Sequence, residues 1–220
     1  MSASIPHPCQ PLTKEQQEDV LSAFEKTSVL GHRKHLRNKA LFLLALATGF
    51  RITELLSLKV ADVFDGKEIR PEICVRGENM KGGKKQEHKS KARTVDLNPD
   101  IMEDLLPLVI DRDKKEPLFV SQKKTKDGQL KPINRRQAFK IYQSAMKTGA
   151  GLKGYGWGTH SPRKTFCERM YEHWDKDIVK TQTSMGHRRV ESTICYLNKG
   201  KKEQKAAFTK PLGLKRKRDE

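Results

Sequence analysis

Apolar positions in "LTKEQQEDVLSAFEK" fall three and four apart. Val20, Leu21 and Phe24 share one face behind a capping Thr13, and this spacing predicts a first helix. A second helix is predicted from about Leu36 to Ala47, apolar on most sides and therefore central to a core. Gly49 breaks it, and "RITELLSLKVADV" opens a third. Between Asp62 and Leu97 the period shortens to two in "EIRPEICV" and "ARTVDL", with "DGKE" as a turn signal. This predicts a small antiparallel sheet of about three strands, with the basic stretch "MKGGKKQEHKSKAR" as a long hairpin tip. From Pro99 onward the pattern is helical again, apart from the loop "SQKKTKDGQLKP" and the glycine-rich "GAGLKGYGWG". The fold class expected is α+β, mainly helical.

Three later helices carry the more pointed signals. In "GTHSPRKTF", Ser161 is a favoured N-cap and Pro162 a favoured first position, so a helix begins there. His160 then stands just outside the helix mouth, and Arg163 inside the first turn, where orphan N–H groups favour an anion. Arg163 heads a stripe continued by Cys167, Met170 and Trp174. Ile178, Val179, Gln182 and Met185 describe the next helix, which Gly186 ends in the left-handed position, fixing His187 just beyond it. Val190, Ile194 and Leu197 form the apolar face of the last helix, with Tyr196 projecting more than about 100° away from that stripe.

Charge changes the picture. The 220 residues hold 45 Lys and Arg against 27 Asp and Glu, a formal net charge of +18, which favours a polyanionic partner, with double-stranded DNA leading. A membrane is the weaker alternative. No signal or lipidation motif is visible, and the longest apolar run, "ALFLLALATGF", is too short to span a bilayer. A soluble protein of the cytoplasm is expected. Cys9, Cys74, Cys167 and Cys195 are widely and unequally spaced without a CxxC pair, and "HRKH" lacks a second pair of ligands, so neither a disulfide framework nor a metal site is expected.

Arg51 repeats the arrangement of Arg163, since it heads a stripe made by Leu55 and Leu58 and has Glu54 three residues on as a partner. Taken singly, each feature also has a plain structural reading: an ion pair at a helix start, a capped helix with a stray histidine, a surface tyrosine. Together they fit one reaction. Two guanidiniums can hold the nonbridging oxygens of a phosphodiester, two imidazoles can exchange protons or hydrogen bonds, and a tyrosine hydroxyl becomes a nucleophile when a base accepts its proton.

With those residues in view, the chain resembles the catalytic domain of the tyrosine recombinases, the phage-integrase family, from about Pro11 to Leu197. The anchors are "ATGFRITELLSL", "THSPRKTF", "MGHRRVEST" and "YL", in the family's order and spacing. The resemblance implies the tyrosine-recombinase catalytic fold and a DNA strand-transferase that cuts and rejoins through a 3′-phosphotyrosyl link, without metal or ATP. It implies that Arg51 and Arg163 bind phosphate, that His160 is the general base, His187 the second histidine, Tyr196 the nucleophile, and Glu54 a support to Arg51. It further implies a hairpin lysine as general acid. Lys81 in "NMKGGK" is the first choice among Lys81, Lys84, Lys85, Lys89 and Lys91, and Lys89 is the alternative.

The organisation expected is a lead-in over 1–10, a catalytic domain over 11–205 and a basic, disordered tail over 206–220, without the N-terminal core-binding domain common in the family. By resemblance the protein self-assembles on DNA as a tetrameric synapse and is encoded by a bacterium, phage or mobile element. Three competing readings stay open: a noncatalytic DNA-binding regulator on the same scaffold, a type IB topoisomerase-like relaxing enzyme, and a histidine-based ribonuclease. The target site, and the choice among integration, excision and inversion, are not written in the sequence.

Overall fold

A computed structural model describes residues 9–26, 32–77 and 92–197. The expected hairpin tip, the basic tail and most of the lead-in lie outside them. Helix α1, Lys14–Lys26, starts where Thr13 and Gln16 cap each other, the Gln16 N–H donating to Thr13 Oγ1 and the Thr13 N–H to Gln16 Oε1, at 3.3 and 3.0 Å. It buries Val20, Ala23 and Phe24 against α2, His32–Thr48, which runs longer than its apolar stretch. Leu41, Phe42 and Leu44 are fully buried in α2, and the Tyr142 hydroxyl donates to the Leu41 carbonyl from across the core.

Two one-turn helices follow, α3 (Ile52–Leu55) and α4 (Val60–Val63). The small antiparallel sheet is present, with two strands among the described residues where about three were expected: β1 (Glu72–Val75) and β2 (Arg93–Asp96), with Glu72 opposite Asp96 and Val75 opposite Arg93. The segment read as a further strand reduces to one bridge, Phe64 to Ile69. Pro71 follows closely, and a residue without an N–H cannot extend a ladder.

Helix α5, Pro99–Val109, is capped by the Asn98 side chain with Pro at its first position. Helix α6, Arg135–Gln143, continues into a π-helical turn over Ser144–Gly149. The chain closes with α7 (Ser161–His173), α8 (Ile178–Met185) and α9 (Val190–Leu197). A large apolar core unites the elements up to the π turn, and a small one forms from Phe166, Cys167 and Met185 with Met170, Tyr196 and Leu197 packed on it. No helix among the described residues is long and apolar enough to cross a membrane.

The stripes of the last three helices differ from expectation. Trp174 is 36% exposed, Val179 63% and Ile194 45%, while Thr181 and Thr193 are fully buried. The inward face of α9 is Thr193, Tyr196 and Leu197, at i, i+3 and i+4: Thr193 meets His187, and Tyr196 and Leu197 pack on the small core.

Candidate active site

Two helix ends build the site. Helix α2 stops at Gly49, whose φ of +60° is left-handed and whose missing Cβ leaves room for the Phe166 ring. That turn delivers Arg51 to the mouth of α3. Glu54, with no exposed surface, accepts from the Arg51 N–H at 2.7 Å and from its Nη1 at 2.8 Å. Its second oxygen lies 4.0 Å from Arg163 Nη1, so one buried carboxylate faces both guanidiniums. Arg51 keeps 24% of its side chain exposed, whereas Arg163 keeps 1%.

Helix α7 enters differently from its sequence reading. Ser161 is the first helical residue rather than the cap: its hydroxyl accepts from the Gly158 N–H at 3.1 Å and donates to the Gly156 carbonyl, tying the glycine-rich loop to the helix. Arg163 is turned sideways into the protein instead of out of the helix mouth. It donates through Nη1 to the Gly49 carbonyl and through Nη2 to the Met185 carbonyl, bridging the ends of α2 and α8. Its Nη2 lies 2.7 Å from His187 Nε2.

That contact fixes a tautomer. A guanidinium only donates, so Nε2 of His187 carries the lone pair and Nδ1 carries the proton, given to Thr193 Oγ1 at 2.8 Å. Burial, then the charges of Arg163, Arg51 and Arg93, push the His187 pKa down to about 3. His187 is neutral at physiological pH, and it exchanges hydrogen bonds rather than protons.

Tyr196 closes the site from above. Its ring stacks on His187, centroids 5.6 Å apart at 26°, and lies 5.6 Å from the Arg163 guanidinium carbon. Its hydroxyl is 3.1 Å from His160 Nδ1. Burial lowers the His160 pKa first, and Arg163, Arg51 and Arg135 lower it further, so this imidazole is also neutral and able to accept a proton. Nε of Arg163 has no hydrogen-bond partner among the described residues, and burial, then the charge of Arg51, lower the pKa of this guanidinium against a smaller opposing effect of Tyr196 and Glu54.

Arg51, Glu54, His160, Arg163, His187 and Tyr196 are thus brought together, while Lys81 and Lys89 lie outside the described residues. Sequence reasoning missed Arg93, which is 8% exposed and wedged between Phe50 and Phe166, 4.7 and 5.9 Å from their ring centroids. Burial, then Arg163, lower its pKa to about 9, and it stays cationic at neutral pH. One signal was available. Arg93, Val95 and Leu97 alternate on one strand face, and a charge on an apolar face marks a buried ion. All four cysteines are free, and no cluster of metal-ligating side chains occurs among the described residues.

The phage integrase family profile matches residues 10–203, nearly the whole chain. This chain belongs to the phage integrase family. Among its relatives, tyrosine recombinase XerH of Campylobacter jejuni is 25% identical over 187 residues, covering 84% of this chain and 47% of the relative. Probable integrase/recombinase YoeC of Bacillus subtilis is 26% identical over 175 residues, covering 80% of this chain and 84% of that one. In fold, the chain matches XerH recombinase bound to its difH substrate with a TM-score of 0.66 at 23% identity, over 95% of this chain and 56% of that one. It matches the catalytic domain of bacteriophage HP1 integrase at 0.54 and 17% identity, over 93% and 96%. This phage integrase family chain spans about half the length of the XerH it resembles.

Proposed function

We propose that the chain is a DNA strand-transferase of the tyrosine recombinase type, with residues 11–205 as its catalytic unit. One observation carries this reading. The Tyr196 hydroxyl sits 3.1 Å from a neutral His160 imidazole and beside a buried guanidinium, so a nucleophile, its base and a phosphate-binding cation already share one space.

In the proposed step, Tyr196 Oη attacks the scissile phosphorus. The Oη–P bond forms, the P–O5′ bond breaks, and the phenolic proton passes to His160. Arg51 and Arg163 hold the nonbridging oxygens and offset the charge gathering on them. Glu54 holds both arginines, and His187 holds Arg163 through its Nε2 lone pair. The leaving 5′ oxygen takes its proton from Lys81, with Lys89 as the alternative donor. The phosphotyrosyl bond conserves the energy of the broken diester, so attack by a 5′ hydroxyl reverses the step and the scheme calls for no metal or nucleotide.

The partner under this reading is duplex DNA, consistent with the charge of +18. The reading extends to a tetrameric synapse on DNA and to a cytoplasmic protein of a bacterium, phage or mobile element.

The test is a suicide DNA substrate that traps the covalent intermediate. A denaturation-resistant adduct mapping to Tyr196, absent in Tyr196→Phe with DNA binding intact, is the expected result. An adduct elsewhere, or an undiminished one in Tyr196→Phe, overturns the assignment. Lys81→Ala is expected to cleave ordinary DNA about 10² to 10⁴ times more slowly, and a substrate with sulfur at the bridging 5′ position nearly as fast as the parent. If Lys89→Ala shows that behaviour instead, Lys89 is the acid. Because the His160 pKa is lowered, the acid limb of cleavage is expected below pH 6.5, the ordinary histidine range.

A further inference from the structure

Arg93 has no part in the scheme above, yet it touches residues beside Arg51, Arg163 and His187. Its Nη2 donates to the Thr48 carbonyl at 2.7 Å, in the last turn of α2, and to the Ser184 carbonyl at 2.5 Å, in the last turn of α8. Those are orphan carbonyls at the negative ends of two helices, and one guanidinium satisfies both. Thr48 stands three residues before Arg51, and Ser184 three before His187. Phe50, beside Arg51, and Phe166, one turn after Arg163, flank the guanidinium. Gly186, with φ +62°, completes the fit: a Cβ there would stand 2.7 Å from Arg93 Cδ.

We propose that Arg93 is a positioning residue for strand transfer, a staple that joins the C-terminal ends of α2 and α8 and so holds Arg51 and His187 in register across the phosphate site. This rests on the function proposed above. Arg163 bridges the neighbouring carbonyls, Gly49 and Met185, so two guanidiniums fasten the same two helix ends. The division of labour is distinct. Arg163 also touches His187 and Tyr196, whereas Arg93 donates to the backbone carbonyls of Thr48 and Ser184. Lysine is an incomplete substitute, because an ammonium lacks the planar fork and the flat face that fits between two rings.

The variants that test this are Arg93→Met, which keeps the aliphatic packing and loses the donors and charge, and Arg93→Lys. Two readouts separate positioning from mere folding. The first is single-turnover adduct formation at saturating DNA, alongside the Kd for that DNA. Arg93→Met is expected to lose about 10²-fold in rate, the scale of an ångström-sized misplacement, with Kd unchanged, and Arg93→Lys to recover part of it. The second is the ¹⁵N NMR signature of His187 in the free protein. The parent shows a single protonated Nδ1, and Arg93→Met is expected to average the two ring nitrogens. If Arg93→Met does not fold, Arg93→Lys carries both readouts, with a slowed rate and a partly averaged imidazole expected. A folded variant with parent-like rate and His187 signal overturns the proposal, as does a rate loss matched by lost affinity with His187 unmoved. Absence of any adduct in the parent overturns the strand-transfer reading instead, while the NMR readout, which needs no cleavage, still decides whether the staple exists.

Discussion

The two ends of this fold are built on opposite principles. From α1 to the π turn the interior is mostly apolar, with Leu41, Phe42, Leu44, Leu55, Leu105 and Leu118 fully buried. From α7 to α9 the buried apolar side chains are Pro162, Phe166, Cys167 and Met185, and they share the interior with Ser161, Arg163, Lys164, Thr165, Thr181, His187 and Thr193. Apolar burial is nondirectional and tolerates small shifts, whereas a network of charged hydrogen bonds holds its atoms in one arrangement. The first region supplies stability and the second supplies geometry, and Arg51, Glu54 and Arg93 are side chains of the first region that serve the second.

The comparison breaks most readily at Glu54. Glu54→Ala leaves buried guanidiniums without their carboxylate and is expected to cost about 3 to 5 kcal/mol in chemical denaturation. A cost near zero would show that charge pairing does not hold the site half together. Leu41→Ala, in the apolar half, is expected to cost about 3 kcal/mol by the same measurement, through the cavity it leaves. Acidification sharpens the contrast. The His187 pKa is depressed in the folded state, so its contribution to stability is complete above pH 6.5 and drains away as pH falls toward 3. Between pH 6.5 and 5 this amounts to about 2 kcal/mol, and His187→Gln is expected to flatten that slope in denaturation curves. Cys167→Ala, the site half's apolar truncation, is expected to cost only about 1 kcal/mol. Smallest of all, Tyr196→Phe keeps the ring on His187, and its stability in chemical denaturation is expected to change by less than about 1 kcal/mol.

Much of this was legible in the chain. Gly49 and Gly186 mark the two helix ends that aim Arg51 and His187, and left-handed glycines are readable because few other residues sit there without strain. Arg51, Glu54, His160, Arg163, His187 and Tyr196 were singled out by spacing and resemblance, and the structure brings them together. What escaped depended on neighbours distant in sequence. Ser161 reads as a cap until the glycine loop claims its hydroxyl. Ile194 reads as core by its apolarity, yet Thr193 turns inward in its place, where it meets His187. Arg93 hid among the cations of "KSKAR", where only strand alternation set it apart.

Tyr196 is both the proposed nucleophile and a side chain packed on the small core of Phe166, Cys167 and Met185. In the scheme proposed above, an oxygen bonded to phosphorus would draw the ring after the DNA strand and away from Phe166, Cys167 and Met185. Nucleophile and packing piece are one side chain, so the proposed covalent step and the seating of α9 would draw on the same ring.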